Sequence, residues 1–277
     1  LVRDQVKSAA DVFALMDVLS LRSEIYAAIN NDNHEYWIER PDCRRPVREL
    51  NLFRAKQMTP LVIVAWERLS APEFAKLLKL LSVLTFRYSV IGRLNTNELE
   101  SVYHQAARLL IDGAASTAGE LFSVLRAVYV DDVAFEQNFA RLDMDTTGQR
   151  KQLVKYILSE LETDASGTSR AYETDPGTIE HILPENASQD WEHEFPADQW
   201  GKYVYRLGNL TLLEGPINRD IGDAPYPRKA ARYAQSNYAL TTAVVERAPD
   251  QWNPALLEAR QAQMARRAVH IWRSGYA

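Results

Sequence analysis

One short stretch, residues 178–233, constrains the fold of this sequence more than any other part of it. Its first characteristic residue is His181, which follows Glu180 and is flanked by branched apolar residues. Such residues are typical of a short strand, so we expect the imidazole to project from a rigid element, as a general base requires. Asn209 opens a second apolar run, and Asn218 follows soon after it. This spacing lets the chain return across a hairpin and predicts a strand–strand–helix unit.

A known nuclease motif has the same characteristic residues in the same order. Ile-Glu-His-Ile-Leu-Pro, then Leu-Gly-Asn-Leu-Thr-Leu-Leu, then Asn218 and a helix with Lys229, Tyr233 and Ser236 resemble the HNH (ββα-metal) motif. More narrowly, the stretch is similar to the C-terminal HNH domain of the GmrSD-type enzymes, which restrict modified phage DNA, and of the related SspE-type DNA-sensing defence proteins. The resemblance spans residues 150–240 and implies a metal-dependent DNA endonuclease.

The resemblance implies a role for each of these characteristic residues. His181 would be the general base, because an imidazole near its ordinary pKa can accept a proton at neutral pH. Glu180, on the opposite side of the strand, and Asn218 would bind one hard divalent ion through oxygen, for which Mg²⁺ or Mn²⁺ is suitable. Asn209 would bond the backbone across the hairpin and hold the His181 ring. The candidates for contacts to DNA phosphates are Arg219, Lys229 and Arg206.

Composition narrows the class of protein. The 277-residue chain has one cysteine, Cys43, which excludes a disulfide framework and a four-cysteine zinc knuckle. We therefore expect a reducing, cytoplasmic compartment. No apolar run approaches the roughly 20 residues that a membrane span needs, so no membrane partner is expected. The net charge of −5 argues against a protein that coats nucleic acid over its whole surface. Basic residues nevertheless outnumber acidic ones over residues 202–237, where they could meet phosphate or form an ordinary solvated face.

The sequence outside the motif predicts helices. Apolar residues recur at helical spacing over residues 2–30, 60–69, 73–92, 97–112, 117–129, 131–142 and 149–162. The polar stretch 31–46, which contains proline, is expected to interrupt them. Within the motif region, residues 186–200 predict an insertion packed by its tryptophans, and residues 225–238 and 254–272 predict two further helices.

The domain boundary follows from the resemblance. By composition, the best candidate for a domain boundary is the segment 164–177, which is rich in Ser, Thr and Gly. In the resembled family, however, the preceding helix belongs to the HNH unit. We therefore predict a mainly α protein, with an all-helical connecting domain over residues 1–147 followed by a ββα-metal (HNH) nuclease domain embedded in helices over residues 148–277.

The resemblance also implies a biological context. The nuclease would be the effector part of a modification-sensing, anti-phage restriction protein. The chain begins Leu-Val-Arg, so we expect a fragment whose missing N-terminal part is a nucleotide-hydrolysing sensor domain marked by an Asp-Gly-Gln-Gln-Arg motif. One HNH site cuts one strand, which predicts a nickase. Double-strand cleavage would need two sites, hence a homo-oligomer or two sequential nicks.

Other interpretations stay open from the sequence. His181 on an apolar strand could be a core histidine, although both asparagines argue against this. The chain could be a DNA-binding or interaction module that keeps an HNH shell without cutting. It could also be an RNase of the same fold, because nothing in the sequence separates ribose from deoxyribose recognition.

Overall fold

The computed structural model describes residues 6–277 and is mainly helical, with one small antiparallel sheet. The chain divides into two compact units. The first consists of residues up to Val130 together with Ser274–Ala277, and the second is Asp131–Arg273. The division falls earlier than the predicted boundary after residue 147, because the helix Asp132–Phe139 packs on the last long helix of the second unit. Residues 2–5 of the first predicted helix lie outside the described residues.

The first unit is built from helices that bury apolar faces. They are α1 (Ala9–Ile29), α2 (Pro41–Leu52), α3 (Thr59–Arg68), α4 (Ala71–Thr85), α5 (Thr96–Ile111) and α6 (Ala118–Leu125). The helical content predicted for this half is confirmed. Helix α2, in contrast, begins inside the stretch that we expected to be irregular. Its buried residues Cys43, Val47 and Leu50 follow helical spacing, and Pro41 occupies the first turn, where a missing N–H costs nothing.

The second unit surrounds a hairpin with helices. Its elements are α7 (Asp132–Phe139), α8 (Gly148–Ser166), β1 (Thr178–His181), α9 (Trp200–Tyr203), β2 (Leu210–Leu213), α10 (Gly215–Ile221), α11 (Tyr226–Tyr233), α12 (Ala239–Arg247) and α13 (Pro254–Ile271). The strand order predicted from the motif is thus present. The short helix α10, which carries Asn218, and the helix α12 were not predicted.

The hairpin is antiparallel, and its register pairs Thr178 with Leu213 and His181 with Leu210. The insertion between the strands packs onto the core of this unit through Trp191, which is 2% exposed and lies near the rings of Phe195 and Tyr226. Every residue of β2 is buried, whereas in β1 only Glu180 is, so β2 lies inside the unit and β1 is nearer the surface.

None of the helices within residues 6–277 is both long enough and apolar enough to cross a membrane.

Candidate active site

Asn209 is fully buried where the chain enters β2, and its carboxamide is completely used. Its Nδ2 group donates hydrogen bonds to the carbonyl oxygens of Leu183 (2.9 Å) and Val204 (3.0 Å). Its Oδ1 atom accepts hydrogen bonds from the Leu183 N–H (2.8 Å) and from Trp252 Nε1 (3.1 Å). Leu183 follows His181 closely in the chain, so this amide fixes the backbone just beyond the histidine without touching its ring.

A second buried amide, Gln261 of α13, joins the turn before β2 to the end of α7. Its Oε1 atom accepts from the Gly208 N–H (3.1 Å) and from Arg206 Nε (3.0 Å). Its Nε2 group donates to the carbonyls of Phe139 (3.1 Å) and Leu142 (2.8 Å). A Cβ atom on Gly208 would lie 2.8 Å from Cβ of Gln261, so glycine is needed for α13 to approach this closely.

Glu180 projects to the buried face of β1, and its carboxylate is 5% exposed. Lys229 Nζ, from α11, lies 2.7 Å from Glu180 Oε1 and donates a second bond of 2.7 Å to the carbonyl of His181. The Tyr233 hydroxyl also donates to Glu180 Oε1, at 2.7 Å. Burial raises the pKa of the Glu180 carboxyl and lowers the pKa of the Lys229 ammonium, and the attraction between the two charges opposes both shifts.

His181 projects to the other face of β1, where its side chain is 14% exposed. Its Nε2 atom lies 3.3 Å from Thr146 Oγ1 and 3.8 Å from Glu185 Oε1, and the ring of Tyr205 approaches edge-on at 5.9 Å between centroids. Burial lowers the pKa of the imidazole; Glu185 opposes this shift and Lys229 adds to it. A lowered pKa leaves the ring neutral at pH 7, which is the form that accepts a proton.

Backbone pairing brings Thr146 to the histidine. The Met144 N–H donates to the Tyr205 carbonyl (2.9 Å), and the Leu207 N–H donates to the Leu142 carbonyl (3.2 Å). The chain before α8 therefore runs beside the segment that leads into β2. This pairing explains how two distant parts of the sequence meet at one imidazole.

Asn218 lies on α10 beside the start of β1. Its Nδ2 group donates to Thr178 Oγ1 (2.9 Å) and to the Ile179 carbonyl (3.1 Å). These bonds use the amide nitrogen and not the Oδ1 atom. The next residue, Arg219, is exposed. Of the three residues predicted for phosphate contacts, Arg219 is the one that lies at the surface.

The other two predicted phosphate contacts are turned inward in this arrangement. Lys229 is fully buried, with its ammonium bonded to Glu180 and to the backbone of β1. Arg206 is half-buried and donates to Gln261 Oε1 and to the Ala140 carbonyl (2.8 Å). Both cations therefore hold the hairpin to its surroundings.

The oxygen donors that the sequence predicted for a metal ion are the carboxylate of Glu180 and the carboxamide of Asn218. Among residues 6–277, no group of three or more His, Cys, Asp or Glu side chains is arranged to hold an ion. Mg²⁺ usually takes one or two carboxylates and completes its shell with water and substrate phosphates. Carboxylate and amide oxygens are donors of the kind that such an ion takes, but the Glu180 side chain is buried and its Oε1 atom is already bonded to Lys229 and Tyr233.

Residues 129–267 match the C-terminal domain of the GmrSD restriction endonucleases, and this match covers half of the chain. The chain belongs to this family. The matched range includes the hairpin, both buried amides and the His181 ring with its neighbours. No curated protein matches the chain. The resemblance inferred from the sequence is thus confirmed, and the GmrSD-type domain is that of a nuclease, a hydrolase of restriction endonuclease type.

Sequence reasoning about the GmrSD-type domain missed the surroundings of the histidine. Thr146, Glu185 and Tyr205 were not singled out, although all three contact His181 or each other. Of the three, only Glu185 could have been found from the sequence, because it directly follows the Ile-Glu-His-Ile-Leu-Pro stretch that contains His181. The other two reach the ring only through the pairing of distant backbone segments, which no local spacing reveals.

We predict that Asn209→Ala destabilises the GmrSD-type domain by at least about 2 kcal/mol, because each buried partner left unpaired costs about 1–3 kcal/mol. Urea denaturation of the chain measures this loss. Asn218→Ala is the matched control; its hydrogen bonds are exposed or only partly buried, so we expect a loss of about 1 kcal/mol or less. Equal losses for the two variants would contradict a special role of Asn209.

We predict that Lys229→Met costs about 3–5 kcal/mol of unfolding free energy, because it strands the buried Glu180 carboxylate without its partner. Glu180→Gln in the same chain should recover about half of that loss or more, since the uncompensated charge is then gone. A double-mutant cycle by urea denaturation measures the coupling. Simply additive losses would mean that the two side chains do not act as a pair.

Proposed function

We propose that this chain is a metal-dependent DNA endonuclease of HNH type, the effector part of a restriction protein that senses modified phage DNA. One site of this type cuts one strand, so the proposed product is a nick. The proposed sensor is a nucleotide-hydrolysing domain of the same polypeptide. The position of His181 carries the proposal. It is the last residue of β1, and Asn209 fixes the chain just beyond it. Asn218, on the neighbouring helix α10, bonds β1 through its amide nitrogen and not through its oxygen.

In the proposed reaction, His181 accepts a proton from a water molecule whose oxygen attacks the phosphorus atom. The bond from phosphorus to the 3′ oxygen then breaks, and that oxygen takes a proton from solvent. General bases of this kind contribute about 10²- to 10⁴-fold to the rate. The burial that lowers the pKa of His181 supports this role, because it keeps the ring unprotonated at neutral pH.

Glu180 and Asn218 would hold a Mg²⁺ or Mn²⁺ ion, which when bound would supply positive charge to the scissile phosphate and the leaving oxygen. The hydrogen bonds of Asn218 Nδ2 to β1 fix the direction of its Oδ1 atom. Exposed Arg219 follows it and is placed to contact a neighbouring phosphate. The inward contacts of Lys229 and Arg206 favour a different role for these two, which is to position β1 and the turn before β2.

One observation favours a second function, a DNA-binding module that keeps the HNH shell but does not cut. The Glu180 carboxylate is already paired with the Lys229 ammonium, and the Tyr233 hydroxyl donates to the same oxygen. A carboxylate satisfied in this way binds a metal ion less readily than a free one. The partly exposed His181 ring and the Asn218 oxygen, which accepts no hydrogen bond from residues 6–277, favour the nuclease.

We predict that the chain converts supercoiled plasmid to open circle with Mg²⁺ or Mn²⁺ and that EDTA stops the reaction. His181→Ala should lower the rate by about 10²- to 10⁴-fold, because the attacking water loses its base. His193→Ala, at an exposed histidine of the insertion, is the matched control and should cut at the wild-type rate. DNA that is bound but uncut with either metal would favour the non-catalytic module, and nicking by His181→Ala at the wild-type rate would rule out this base.

We also predict that Asn218→Ala raises the Mn²⁺ concentration for half-maximal nicking by about tenfold, since one oxygen ligand is lost. Electron paramagnetic resonance of Mn²⁺, titrated with chain and DNA, measures the same change without cleavage. Asn218→Asp, which restores an oxygen donor, should recover binding, and Asn186→Ala, at an exposed position of the insertion, should behave as wild type. Unchanged Mn²⁺ affinity in Asn218→Ala would remove this residue from the ion's shell.

A further inference from the structure

The two ring nitrogens of His181 have different surroundings. Nε2 faces oxygen atoms on two sides, Thr146 Oγ1 at 3.3 Å and Glu185 Oε1 at 3.8 Å. Nδ1 makes no hydrogen bond to any residue in the described range 6–277. One nitrogen is therefore occupied by the protein and the other is open to a solvent molecule.

Glu185 lies beside the ring of His181. It follows Pro184 in the chain, its side chain is 43% exposed, and its carboxylate raises the pKa of the neighbouring Tyr205 hydroxyl. Tyr205 in turn packs edge-on against the imidazole, with the two rings at 82°. Tyr205 therefore lies beside both the imidazole and the Glu185 carboxylate.

A neutral imidazole carries one proton, and the hydrogen bond that one nitrogen makes determines which nitrogen bears it. An unprotonated Nε2 would point its lone pair at the carboxylate of Glu185, which is unfavourable. A protonated Nε2 is attracted to that carboxylate and can donate to Thr146 Oγ1. The surroundings therefore favour the proton on Nε2 and the lone pair on Nδ1.

We propose that Glu185 is a positioning residue that, with Thr146, keeps the proton of neutral His181 on Nε2, so that Nδ1 is the nitrogen that takes the proton from the attacking water. In that step the water O–H bond breaks, its proton binds Nδ1, and the oxygen electron pair forms the bond to phosphorus as the 3′ oxygen leaves with its own pair. The ring becomes a cation, which the Glu185 carboxylate stabilises. The catalytic part of this inference rests on the proposed nuclease function, whereas the tautomer exists without DNA.

The tautomer is measured directly on the ¹⁵N-labelled chain by long-range ¹H–¹⁵N correlation, at a pH where His181 is neutral. The spectrum of His181→Ala assigns the ring among the five histidines. The expected result is a proton on Nε2 in the wild type and an increased fraction of the Nδ1–H form in Glu185→Gln and in Thr146→Val. Glu192→Gln removes the same charge from an exposed position of the insertion and should leave the His181 signals unchanged.

Nicking kinetics test the catalytic consequence. Glu185→Gln should lower kcat by about tenfold, the effect expected for a partner that orients an active histidine, while the KM for DNA stays the same or falls. Glu192→Gln should leave both values unchanged. If Glu185 acted only by repelling phosphate, its removal would lower KM without lowering kcat, and this would overturn the proposal.

Each remaining outcome also decides a specific point. A wild-type His181 with its proton on Nδ1 would overturn the proposal, and so would nicking that depends on His181 but is unaffected by Glu185→Gln. The nuclease function would stand in both cases. A wild-type chain that never nicks DNA, but whose Nε2–H tautomer is lost in Glu185→Gln, would support the positioning role and contradict the proposed function.

Discussion

A two-stranded sheet with four residues in each strand is too small to be stable by itself, so the hairpin of this domain depends on buried side chains that bond its backbone. Asn209 holds the chain after β1, and Gln261 holds the turn before β2. Thr241, from α12, donates to the Leu212 carbonyl and pairs with the Thr211 hydroxyl. Each of these residues is completely buried, where an unmade hydrogen bond is costly. The position of His181 therefore depends on these buried amides and hydroxyls as well as on its pairing with Leu210.

The outer edge of β1 is completed in a similar way. Carbonyl groups alternate in direction along a strand, so the carbonyls of Ile179 and His181 both point away from β2. Asn218 donates to the first and Lys229 to the second. These two side chains take the place of a third strand and cover an edge that would otherwise be open to pairing. A structural role of this kind explains why Lys229, predicted from the sequence to contact phosphate, is fully buried.

The sequence allowed the hairpin to be predicted because its signal is local, with branched residues around His181 and a second apolar run after Asn209. The interruption before α2 was predicted too long, since Pro41 fits a first helical turn as well as a break. The neighbours of His181 could not be predicted, because Thr146 arrives through backbone pairing between distant segments. Likewise, the charge of Lys229 suggested a phosphate contact, and only the packing of α11 on β1 reveals its partner, Glu180.

The distribution of charge around His181 places a requirement on any phosphate that reaches it. Glu185 carries an exposed negative charge beside the ring, and Asp145, the residue before Thr146, carries another that forms a surface ion pair with Arg150. The cations Lys229 and Arg206 are directed into the protein. A phosphate at the histidine would therefore meet carboxylates before cations, and exposed Arg219 could offset only part of the repulsion. A divalent ion at Asn218 would supply the missing positive charge, which gives a physical reason for the proposed metal dependence that is independent of the motif.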